Sequence, residues 1–181
     1  SCLHNLGTLL RLMGRPEEAE PLLRRSAALF LAAGQRHPDA TKPLNTLALL
    51  LMERCQTAEG EDLLRKALAM DEEAGLRPEV AVDLQSLSLL LTSAGRPLEA
   101  EPLIRRSLDL SRSVYGEAHP RTARRMQILA GILRDLGRPA EAEPLARQAL
   151  EIFERILGPD HPWTRSARQD LETLAPTSRM A

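Results

Sequence analysis

The chain has 181 residues and a formal net charge of −1, so no whole-molecule field draws it toward nucleic acid or an anionic membrane. Hydrophobic residues make up 43% and aromatics only 2%, which requires an aliphatic core; Leu and Ala favour helices over a sheet. No apolar run approaches the roughly 20 residues of a membrane span, and Cys2 and Cys55 form no metal or redox spacing. With no signal peptide at the start, a cytoplasmic protein without metal or cofactor is expected.

The first predicted element is a helix with Leu3, Leu6, Gly7 and Leu10 on one face. Gly14-Arg-Pro ends it, the glycine supplying a left-handed stop and Pro16 opening the next helix. That second helix places Ala19, Leu23 and Ser26 inward. A link at 36–41 containing His37-Pro leads to a helix with Leu44, Leu47, Ala48 and Leu51 inward, then Cys55-Gln-Thr and a helix burying Gly60, Leu64 and Ala67. The third copy repeats the scheme with Leu84, Leu87, Ser88 and Leu91, the turn at Gly95-Arg-Pro, and Ala100, Ile104 and Ser107. The fourth has Met126, Leu129, Ala130 and Leu133, the turn at Gly137-Arg-Pro, and Ala142, Ala146 and Ala149.

The four turns begin at 14, 55, 95 and 137, a period of 40 to 42 residues, so the fold is a repeat array in which each hairpin buries its apolar face on its neighbours. The units run approximately 1–36, 37–77, 78–118 and 119–160, followed by a capping helix at 162–174 and a disordered tail at 176–181. Arg168 and Glu172 give the cap a polar outer face, and Trp163 is expected to pack it onto the fourth unit. Pro21, Pro102 and Pro144 each fall five residues after the turn proline and predict an irregularity near the start of the second helix. The deviant second copy, with Cys55 at its turn and Gly60 in its helix, reads as sequence drift. Ser1 lies inside a helix whose His-Pro entry is missing, which suggests the C-terminal part of a longer protein.

The small–large–small pattern of the second helix, after a Leu-x-x-Leu-Gly/Ala/Ser-x-x-Leu first helix, resembles the tetratricopeptide repeat. Gly14-Arg-Pro-Glu-Glu-Ala-Glu-Pro-Leu, Leu44-Asn-Thr-Leu-Ala48 and Leu157-Gly-Pro-Asp-His-Pro162 are similar to the longer repeats of kinesin light chains and their bacterial relatives. The resemblance implies an all-α solenoid, a right-handed superhelix of four hairpins whose concave wall is lined by the first helices. It implies a non-catalytic scaffold that binds a protein or peptide there, and no His-Glu-x-x-His, P-loop or Gly-x-Ser-x-Gly motif opposes this. The alternative is a C-terminal sensor arm of a larger signalling protein.

The candidate groove residues are His4, Asn5 and Thr8 of the first unit and Lys42, Asn45, Thr46 and Leu49 of the second. The third contributes Gln85, Ser86 and Leu89, the fourth Arg124, Gln127 and Ile128. Amides offer a donor and an acceptor to a peptide backbone, and Leu49, Leu89 and Ile128 offer apolar contact. Kinesin light chains contact peptide through an Asn doublet, here reduced to His4-Asn5, Asn45-Thr46 and Gln85-Ser86. A clamp on a terminal carboxylate would need cations where His4, Thr8, Thr46, Val82 and Ser86 stand, and is disfavoured. The basic stripe of Arg24, Arg65, Arg105 and Arg147 is matched by Glu20, Glu61, Glu101 and Glu143 four residues earlier, so it predicts helical ion pairs rather than a nucleic-acid surface. Neither a membrane nor a small-molecule substrate is expected as partner.

Overall fold

A computed structural model describes residues 2–33 and 41–174. Ser1, the link containing His37 and the predicted tail lie outside the described residues. Within the described residues every element is a helix.

The chain forms two compact bodies, residues 1–94 and 95–181. The first contains α1 (Cys2–Leu12), α2 (Pro16–Ala33), α3 (Lys42–Glu53), α4 (Thr57–Glu73) and α5 (Arg77–Ser93). The second contains α6 (Pro97–Tyr115), α7 (Pro120–Asp135), α8 (Pro139–Leu157) and α9 (Pro162–Leu174). In the first body each helix packs on the next, and α1, α3 and α5 also touch in sequence, so the first helices of successive hairpins are neighbours. The second body repeats the arrangement, with α7 beside both α8 and α9. This is the expected all-α stack of helical hairpins.

The inward positions are those predicted. Ala19, Leu23, Leu64, Ala67, Ala100, Ile104, Ala142, Ala146 and Ala149 are all buried, as are the first-helix sets of the second, third and fourth units. The first unit differs. Leu6 is 49% exposed, while Leu47 and Leu87 at the same register are 2% and 3% exposed. Leu47 joins a cluster with Leu10, Ala19, Leu23 and Ala27 of the hairpin before it, and the described chain places no such hairpin over α1.

Small residues sit where helices approach closely. A Cβ on Gly7 would lie 2.7 Å from Leu23 Cγ, inside van der Waals contact. A Cβ on Gly60 would come within 3.0 Å of Leu90 Cδ1 and 3.1 Å of the Ala48 carbonyl oxygen. The glycine of the second unit therefore serves a tight approach of α4 to its neighbours, which sequence drift alone does not describe. Cys55 adopts φ 60°, taking the left-handed place that Gly14, Gly95 and Gly137 hold elsewhere.

The internal prolines interrupt nothing visible. Pro21, Pro102 and Pro144 lie inside continuous helices, on exposed positions of the first two turns. So near an N-terminus few intrahelical bonds precede them, and their rings point to water. The predicted irregularity is not seen.

Candidate interaction surface

The His-Pro boundaries fix where the first helices begin. His119 Nδ1 accepts from Arg121 N at 3.1 Å and caps α7; His161 Nδ1 accepts from Trp163 N at 3.1 Å ahead of α9. Thr122 and Thr164 each donate through Oγ1 to a glycine carbonyl, Gly116 and Gly158, at 2.8 Å. Each histidine is committed to its turn. Trp163 packs against Phe153 of α8 with centroids 5.9 Å apart, as a capping helix requires, and Arg168 and Glu172 face solvent.

The outer charges neutralise one another. The four predicted pairs are all formed: Arg24–Glu20, Arg65–Glu61, Arg105–Glu101 and Arg147–Glu143, at 2.8, 2.5, 2.8 and 2.5 Å. Links between hairpins were not foreseen, among them Arg24–Glu59 and Arg11–Glu53. Arg54 of the second turn reaches Glu20 of α2 at 2.9 Å, and Arg138 reaches Glu101 of α6 at 2.8 Å. The turn arginines Arg15, Arg96 and Arg138 also clamp Glu18, Glu99 and Glu141 three residues on. Burial pushes the Glu101 carboxyl up, but hydrogen bonds from Arg105 and Arg138 outweigh it and hold the group below the ordinary range.

The inner side chains of the first body are dressed differently. Asn5 and Lys42 are exposed, and His4, Thr8, Asn45, Thr46, Leu49, Gln85 and Leu89 are half-buried. Thr8 and Thr46 turn their hydroxyls back onto the carbonyls of His4 and Lys42, at 2.8 and 3.1 Å. Asn45 Nδ2 donates to the carboxylate of Asp83, so this amide is partly engaged within the protein. Gln85 makes no side-chain hydrogen bond within the described residues. Ser86 is only 6% exposed and adds little surface.

In the second body the candidates divide. Arg124 is half-buried, donates from Nη1 to Gln127 Oε1 at 2.8 Å and lies 5.9 Å from the Trp163 ring centre. Burial lowers the Arg124 pKa, partly opposed by the charge of Asp170. Gln127 and Ile128 are 4% and 8% exposed, and Gln127 Nε2 is held by Ser166 and Asp170 of α9. The side chains that face the next first helix are thus covered by it.

Sequence reasoning passed over two buried groups. Asp71 and Asp83, 3% and 1% exposed, meet beneath Asn45. Arg125, 2% exposed, spans from α7 to Ser107 Oγ of α6 at 2.8 Å, and burial draws its pKa down to about 10. A charged residue in the Leu-rich first-helix period was the available signal for Asp83 and Arg125. Among the described residues no group of three or more His, Cys, Asp or Glu could hold a metal ion, and no helix is long and apolar enough to cross a membrane.

Comparison with known proteins agrees with this architecture. Among solved structures, a Podosopora anserina protein with nearly identical TPR-like repeats, described as a kinesin light chain, superimposes with a TM-score of 0.78 at 20% identity. The match covers 96% of this chain and 83% of that one. BtubC (BKLC) from P. vanneervenii gives a TM-score of 0.76 at 23% identity, over 88% of this chain and 65% of that chain. These likenesses concern the fold. No curated protein matches the sequence. The tetratricopeptide-repeat family model matches residues 1–73, 39–112, 83–154 and 125–175, overlapping along the array. The chain therefore belongs to the tetratricopeptide-repeat family.

Proposed function

We propose that this protein is a non-catalytic scaffold that holds a segment of a partner protein against the inner sides of its first helices. Tetratricopeptide repeats are protein-interaction modules, and what supports a particular surface here is the contrast between two sets of side chains. On the second helices and turns, arginines and glutamates satisfy each other. On α3 and α5, the half-buried Gln85 keeps its amide unengaged among the described residues, with Leu89 one turn along and Leu49 on the neighbouring helix. An unengaged amide beside half-buried leucines suits a peptide that brings both backbone polar groups and apolar side chains.

Four of the predicted groove residues carry this reading best: Thr46, Leu49, Gln85 and Leu89. Lys42, Asn5, His4, Thr8 and Arg124 extend it, and Asn45 contributes through whichever of its amide atoms a partner reaches. Ser86, Gln127 and Ile128 act behind the surface. Burial of a few such side chains corresponds to micromolar affinity, roughly −8 kcal/mol.

The test is a partner captured with the full chain and then measured by calorimetry. A Gln85→Ala, Leu89→Ala double variant should weaken binding at least tenfold, and Arg147→Ala on the outer stripe should leave it unchanged. Equal affinity in the double variant, with the fold intact, removes the reading.

A further inference from the structure

The charge arrangement beneath Asn45 is out of keeping with the rest of the molecule. Glu20, Glu61, Glu101 and Glu143 are paired with arginines, whereas Asp71 near the end of α4 and Asp83 in α5 point at each other within hydrogen-bonding reach. Both are almost wholly withdrawn from water, at 3% and 1% exposure. Thr41 Oγ1 donates to Asp71 Oδ2 at 2.8 Å, and Asn45 Nδ2 donates to Asp83 Oδ1. Residues from the start of α3, from α4 and from α5 therefore converge on one pair of acids.

Among the described residues no cation is recorded as acting on either acid. The group that adds to both acids electrostatically is Glu79, a third carboxylate, one turn before Asp83. On α3 the charged residue at this end is Lys42, which is exposed; on α4 Glu72 and Glu73 lie outward beyond Asp71; on α5 Arg77 is exposed. With both acids ionised, Asp83 Oδ2 has no donor. Two desolvated carboxylates in contact cannot both keep their charge cheaply, and one proton between them converts the clash into a hydrogen bond.

We propose that Asp71 and Asp83 share one proton and act as a proton-dependent latch holding α3 and α4 onto α5. Burial raises Asp71 above its ordinary range and pushes Asp83 up to about 8. The folded chain thus keeps a proton that the unfolded chain gives up near pH 3.8. The stabilisation is complete below that pH and is lost as pH rises toward 8, so the first body loosens through the neutral range. The latched helices carry Asn45, Thr46, Leu49, Gln85 and Leu89, so partner binding should weaken in parallel; that last consequence alone rests on the groove reading.

Two measurements on the full chain test the latch. Carboxyl carbon NMR titration should show one of the two acids titrating near pH 8; ordinary midpoints near 4 for both would overturn it. Hydrogen exchange, corrected for intrinsic rates, should show the opening of α3–α5 rising with pH between 5 and 8, by at most tenfold per unit. Asp83→Asn keeps an acceptor for Asn45 and supplies a donor to Asp71, so it should flatten that slope and leave exchange in α7 and α8 unaltered. A slope unchanged by the substitution would also overturn the proposal. If Asp83→Asn does not fold, the titration of the unaltered chain decides alone.

Discussion

Arg138 reaches back from the turn before α8 to Glu101 on α6, its Nη1 donating to both carboxylate oxygens at 3.0 and 2.8 Å. Glu101 also accepts from Arg105 one helical turn along, so a single acid joins its own helix to the following turn. Glu20 stands in the same relation to Arg24 and Arg54 in the first body. Removing Glu101 takes one acid from both Arg105 and Arg138 and cuts the link from the turn to α6, leaving both to Glu141, whereas Glu143 has the exposed Arg147 as its ion-pair partner.

Glu101→Gln should cost about 1 kcal/mol, and Glu143→Gln about 0.3 kcal/mol, in urea unfolding at low salt. The carboxyl of Glu101 is depressed in the folded chain, so its stabilisation is present above the unfolded value of 4.5 and disappears as pH falls through the folded one. The two variants should therefore converge in stability at acid pH. A difference that persists at pH 2 would contradict the double ion pair.

Cys55→Gly should stabilise the chain. Its φ of 60° is strained for a side chain with a Cβ and ordinary for glycine, as Gly14, Gly95 and Gly137 show at 72°, 76° and 72°. Relief of that strain, less the entropy glycine adds to the unfolded chain, leaves about 0.5–1 kcal/mol. Thermal unfolding checks the sign.

Gly7→Val should destabilise by about 1–3 kcal/mol, because its branches have to enter the space of Leu23. Adding Leu23→Ala to it should cost less than the two single changes together. Strict additivity in a double-mutant cycle would mean the helices separate instead of pressing on that contact.

Asn45→Ala and Gln85→Ala look equivalent in the sequence and differ in the structure. The first deprives buried Asp83 of its donor and should cost about 1–2 kcal/mol; the second frees nothing and should stay within about 0.5 kcal/mol. Chemical unfolding of both variants separates them.

The stack was legible because each hairpin restates the same spacing: a small residue at Gly7, Ala48, Ser88 and Ala130, and a turn four times over. The pairs at four-residue spacing followed from helix geometry alone. The links Glu20–Arg54 and Glu101–Arg138 join residues 34 and 37 apart and depend on how hairpins lean, which no local pattern encodes. The same limit applies to Gln127 and Ile128. Their helix positions match Asn45 and Thr46, but both are buried, Gln127 beneath Ser166 and Asp170 of α9. Asp71 and Asp83 escaped notice because their meeting joins α4 to α5, which no local spacing encodes.

Trp163 is the sole indole in the chain, seated between Phe153, His161 and the guanidinium of Arg124. Its emission therefore reports on the packing of α7, α8 and α9 around it. A ligand or denaturant that rearranges α7, α8 or α9 around the ring shifts that fluorescence. A second tryptophan placed at Phe30 would give the other half a voice of its own.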